Sequence, residues 1–222
     1  MDVKYLILDM GKVLVGPTTG NWLITPAFLE NVDMDKIDKL KLKVAMEEFN
    51  YILGKKMLTL DEEFFYMMEY YKSVLDRVNY SITDEKLKNI VNDFVYFNGS
   101  DSKYYLYNDV KSELKRLSEK YTLLMLSDNW PCGEEYLKEH GLYEYFDRIY
   151  ISSTYGYLKS DKVFFDYLIN DYNIKKGEAI YVDDREDLLD IGVQKGLDVR
   201  LMDREKQISN SKYLIINGLN EL

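Results

Sequence analysis

The chain has 222 residues, enough for one sizeable core or for a core carrying a smaller inserted domain. Its formal net charge of −10 argues against nucleic acid or an anionic membrane as partner, and 46% hydrophobic residues exclude a disordered tail. A single cysteine, Cys132, leaves no internal disulfide and no cysteine-based metal cluster.

No apolar run reaches the roughly 20 residues of a membrane span, and no charged-then-apolar leader opens the sequence, so the cytoplasm is the expected compartment. In chain order, residues 3–8 read as a buried strand that stops at Asp9 and a glycine turn. "GPTTGNW" (16–22) is turn chemistry, and no strand is then expected until about residue 122. The intervening tract is helical. "DMDKIDKLKLKVAMEEFNYILG" carries apolar residues at Ile37, Leu40, Val44, Phe49, Ile52 and Leu53 and stops at Gly54. Thr59 and Thr83 open two further helices, each with an acidic first turn, the second closing near Gly99. Three successive helices suggest a small bundle.

Beyond about residue 103 the pattern alternates. A helix over 107–119 precedes the strand "YTLLMLS", and a helix over about 133–140 precedes "DRIYIS". Ser160 and Asp161 are expected to cap a helix to Tyr172; "EAIYVDD" (178–184), another helix and "DVRLM" follow. Strands alternating with helices imply a doubly wound, parallel, Rossmann-like α/β sheet. The expected organisation is an α/β core of residues 1–15 and 101–222, with a helical-bundle insertion over 16–100.

Ligands of open α/β sheets bind at the carboxyl ends of the strands. The polar residues expected there are Asp9, Ser127 in "MLSDNW", Lys159 in "GYLKSD", and Asp183 and Asp184 in "YVDDRED". Three carboxylates in one place repel unless a cation joins them, and oxygen ligands suit Mg²⁺. A hydroxyl and an ammonium facing the same space suit a phosphoryl group. Lys162 is the competitor for the lysine role. Asp187 reads as a first-turn helix acid, His140 as a helix-end residue and Cys132 as a bystander.

Asp9-x-Gly11, Ser127, Lys159 and Asp183-Asp184, in this order, resemble the four motifs of the haloacid dehalogenase-like (HAD) superfamily of hydrolases, over nearly the whole chain. The resemblance implies that Asp9 is a nucleophile forming an aspartyl-phosphate and that Ser127 binds a phosphoryl oxygen. It implies that Lys159 balances charge, and that Mg²⁺ is held by Asp9, the Gly11 carbonyl and Asp184 with support from Asp183. The helical insertion would be the family's cap. The substrate implied is a small phosphorylated metabolite, sugar phosphates among them, and the protein a monomer or homodimer.

Two departures matter. Hydrolytic members usually carry a second aspartate, a general acid–base, where this chain has Gly11. General acid–base help is typically worth about 10²–10⁴ in rate. Members with the Asp-x-Gly variant resemble a bacterial glucose-1-phosphate phosphatase, and low-pKa leaving groups need the missing acid least. Asp128, beside Ser127 on the substrate side, adds a negative charge where the family often has Asn. The rival readings are a metal-independent 2-haloacid dehalogenase-like hydrolase and a catalytically weakened phosphate-binding protein.

Overall fold

The structure, a computed structural model, describes residues 3–97 and 103–222. The chain divides into two compact units, residues 1–16 with 106–222, and residues 17–105.

The first unit is built on a six-stranded sheet. Its strands are β1 (Tyr5–Leu8), β4 (Thr122–Ser127), β5 (Phe146–Ile151), β6 (Ala179–Asp183), β7 (Asp198–Met202) and β8 (Ile215–Ile216). The order is β5-β4-β1-β6-β7-β8 and every pairing is parallel. Such a sheet is covered on both faces, which is why its strands are apolar runs rather than alternating ones. Leu6, Ile7, Leu8, Leu124, Leu126, Tyr181 and Val182 are accordingly buried. The helices α5 (Val110–Ser118), α6 (Pro131–Glu139), α7 (Ser152–Tyr155), α8 (Val163–Tyr172) and α9 (Glu186–Gln194) connect the strands. The chain leaves β1 toward β4 and β5, then returns to β6 on the other side. The order therefore reverses at β1, where a doubly wound sheet opens its ligand crevice.

The second unit holds α1 (Pro26–Asn31), α2 (Lys39–Glu48), α3 (Leu60–Arg77) and α4 (Asp84–Tyr96). Its helix starts follow capping chemistry. Thr25, Asp38, Thr59 and Thr83 each accept a hydrogen bond from a first-turn backbone N–H. Phe28, Met67, Tyr70, Tyr71, Val74, Ile90 and Phe94 fill its interior. Among the described residues no helix is long and apolar enough to cross a membrane.

Several local expectations differ. The helix read through to Gly54 stops at Glu48 and continues as a 3₁₀ turn, Asn50–Gly54. The five-residue gap between Val44 and Phe49 had already broken the helical phase. Leu40 and Val44 are 71% and 49% exposed, and α2 buries Leu42, Ala45 and Met46 instead. The third bundle helix ends at Tyr96, with Phe97 in the left-handed region at φ 55°; Gly99 lies outside the described residues. Helix α8 begins at Val163 without a side-chain cap, so neither Ser160 nor Asp161 caps it. Two short strands, β2 (Val15–Pro17) and β3 (Tyr104–Leu106), pair with each other inside the stretch read as strandless.

Candidate active site

The register brings three polar residues to the carboxyl ends of adjacent strands. Leu8 pairs with Met125 on one side and Val182 on the other. Asp9, the next residue, donates its backbone N–H to Val182 O at 3.1 Å. Ser127 and Asp183 close β4 and β6, both buried.

Lys159 reaches the same point from the loop after α7. Its Nζ lies 3.0 Å from Asp9 Oδ1 and 2.6 Å from Asp183 Oδ2, and the residue is 2% exposed. The loop is shaped by two carboxylates. Asp128 Oδ1 accepts the Lys159 N–H at 2.8 Å, and Asp161 Oδ2 accepts the Leu158 N–H at 2.9 Å. Asp161 thus shapes the turn rather than the helix start. Lys162, the competing lysine, donates instead to Gln194 Oε1.

The electrostatics follow from burial. Burial pushes the Asp9 carboxyl up to about 7, against the pull of Lys159. Burial also raises the Asp128 carboxyl, and it raises Asp184 together with the charge of Asp183. For Lys159 burial opposes the charge, yet Asp183 and Asp9 outweigh it and the ammonium's pKa rises.

Asp9, Asp183 and Asp184 each offer a carboxylate oxygen, all within 4.8 Å of one another. Lys159 alone cannot neutralise three acids. Asp183 is already well engaged: Oδ1 accepts the Arg185 N–H at 2.9 Å, and Oδ2 accepts from Lys159 and from the Tyr181 hydroxyl. Asp9 Oδ1 is buried with no hydrogen bond besides its ion pair. Asp184 is half-buried, with Lys12 Nζ 3.7 Å from Oδ2. An excess of hard oxygen donors, one of them buried with only the Lys159 ion pair to offset it, fits a divalent cation held by Asp9 and Asp184.

The turn after Asp9 is arranged differently from its sequence signature. The left-handed residue is Lys12, at φ 52°, while Gly11 forms a bridge with Val15. Lys12 N–H donates to Val15 O at 2.7 Å and Leu14 N–H to Met10 O at 2.9 Å. Sequence reasoning also passed over Tyr181, Asn129 and Arg204. Asn129 ties the loop after β4 to the start of α7: its N–H donates to Ser152 Oγ at 3.1 Å. Tyr181, two residues before Asp183 in an apolar strand, carried a signal, since a buried tyrosine hydroxyl needs a partner. Arg204 carried none, because its partners lie 95 and 191 residues away.

The haloacid dehalogenase-like hydrolase family matches residues 5–191 of the sequence. This chain is a haloacid dehalogenase-like hydrolase. The hydrolase is 24% identical over 208 residues to the D-ribitol-5-phosphate phosphatase of Bacteroides thetaiotaomicron, covering 88% of this chain and 90% of that protein. It is similar to YfnB of Bacillus subtilis, a HAD-hydrolase bound to magnesium, with a TM-score of 0.69, 16% identity and coverage of 100% and 97%. It is also similar to a HAD family enzyme of B. thetaiotaomicron in complex with magnesium and inorganic phosphate, with a TM-score of 0.65, 17% identity and coverage of 93% and 98%. At these identities the two structures establish the fold.

Proposed function

We propose that this hydrolase is a Mg²⁺-dependent phosphatase of small phosphorylated metabolites. The observation that carries the reading is the set of three carboxylates, Asp9, Asp183 and Asp184, converging around one buried ammonium. Asp9 and Asp184 would hold the metal with the Gly11 carbonyl, while Asp183 orients Lys159. The metal, when bound, supplies charge stabilisation for the phosphoryl oxygens.

Asp9 attacks phosphorus; the bond from phosphorus to the leaving oxygen breaks, giving an aspartyl-phosphate. Water then attacks phosphorus, releasing phosphate and restoring the carboxylate. Ser127 donates to a phosphoryl oxygen, and Lys159 offsets the charge of nucleophile and phosphate. Asp128, whose Oδ1 is engaged by the Lys159 N–H, acts by fixing that loop. The helical unit is assigned as the substrate-selecting cap, and the cytoplasm as the site of action.

Gly11 offers no side-chain acid to the leaving oxygen, which favours anomeric and acyl phosphates. The name of the B. thetaiotaomicron relative points instead to a primary-alcohol phosphate. A panel should therefore set sugar 1-phosphates and acetyl phosphate against pentitol phosphates, with and without Mg²⁺, for wild type and Asp9→Asn. The expected result is metal-dependent phosphate release that falls about 10⁴-fold or more in the variant. Halide release from 2-haloacids without metal would sink the reading in favour of a dehalogenase. Asp183 would still orient Lys159 in such a metal-free reaction, but Asp184 would have no task there.

A further inference from the structure

Lys12 is the residue at this site that neither the motif chemistry nor the fold requires. We propose that Lys12 is a tethered counter-cation of the metal site: its ammonium shares Asp184 with the divalent ion and sets how tightly that ion is held. The inference rests on the metal-dependent reading above.

The first observation is conformational. Lys12 stands at φ 52°, where an L side chain is strained and glycine or asparagine is at ease. A lysine there is kept against the preference of its backbone, and strain of this kind collects at functional sites.

The second observation is that the turn cannot relax to relieve the strain. Arg204 clamps it from below, donating to Val13 O through Nε at 3.1 Å and Nη2 at 2.6 Å. The other arm of Arg204 grips both carboxylate oxygens of Asp109 at 2.8 Å. The backbone beside Lys12 is thereby held, and its side chain starts within reach of Asp184.

Lys12 Nζ lies 3.7 Å from Asp184 Oδ2, and the two side chains are 48% and 21% exposed. The pair is therefore exchangeable rather than locked. A cavity of about 110 Å³, lined by Lys12, Asp184, Arg204 and Gln207 among others, gives the butyl chain room to withdraw. With the ion absent, the ammonium offsets the charge of Asp184. With the ion present, the two cations compete for one carboxylate, so Lys12 weakens metal binding and eases release.

The test is Mg²⁺ titration of the full chain by isothermal titration calorimetry, at 50 and 500 mM KCl. Lys12→Asn and Lys12→Gly both suit the left-handed backbone, and Lys12→Arg keeps the charge. The proposal expects the first two to bind Mg²⁺ about three- to tenfold tighter than wild type at low salt. The difference should shrink at high salt, and Lys12→Arg should stay near wild type. Unchanged or weaker binding in Lys12→Asn and Lys12→Gly would overturn it. Asp184→Asn separates the two layers. If it abolishes Mg²⁺ binding while the Lys12 variants bind as wild type, only this inference fails. If it binds as wild type, the metal site itself is misassigned and both fail.

Discussion

At the scale of single residues, the candidate site gathers three carboxylates around one buried ammonium. Asp9 shows the effect on a carboxyl: burial raises its pKa to about 7 from an ordinary value of 3.8. The native state then holds a proton that the unfolded chain has already lost between those two values. Stability of the metal-free protein must fall as pH rises through that window, with the loss complete above about pH 7. The raised carboxyls of Asp128 and Asp184 add in the same direction. Urea unfolding in EDTA should therefore give a lower midpoint at pH 8 than at pH 5.5. Asp9→Asn should flatten much of that slope, and Mg²⁺ should raise the midpoint at pH 8. A metal-free protein more stable at pH 8 than at pH 5.5 would contradict this linkage.

At the scale of elements, β6 and α9 together aim the acids. Gly192 lets α9 approach the sheet closely: a Cβ there would stand 3.0 Å from Tyr181 Cδ1 and 3.2 Å from Val199 Cγ1. The Tyr181 ring cannot yield, being fully buried with its hydroxyl on Asp183. Gly192→Ala is expected to cost about 1–3 kcal/mol of stability by urea denaturation. The sheet strands were legible because a parallel sheet buried on both faces writes itself as short apolar runs ending in polar residues. Thr59 and Thr83 were legible as caps for an equally local reason. The face of α2 was not: it depends on neighbours in the bundle, and the exposed Leu40 and Val44 formed the more regular stripe. The short β2, β3 and β8, of three, three and two residues, are fixed by pairing across the fold and leave no periodic trace.

At the scale of the whole molecule, the order of the strands assembles the candidate site. Asp9, Ser127 and Asp183 are far apart in the chain, and only the arrangement β4-β1-β6 makes them neighbours. The sequence named the residues through the resemblance of its motifs, while the charge-sharing partners came from tertiary structure alone. Arg204 on Val13, Tyr181 on Asp183 and Lys12 on Asp184 belong to that second class. The central claim is that this fold presents Asp9 to phosphorus as a nucleophile. Its most direct measurement is a chemical trap. The enzyme, turning over acetyl phosphate with Mg²⁺, is quenched in acid, reduced with borohydride and mapped by mass spectrometry. The account predicts that residue 9 is recovered as homoserine, only when donor and metal are both present. Sustained turnover with Asp9 unmodified, or a reduced acid at another position, would contradict it.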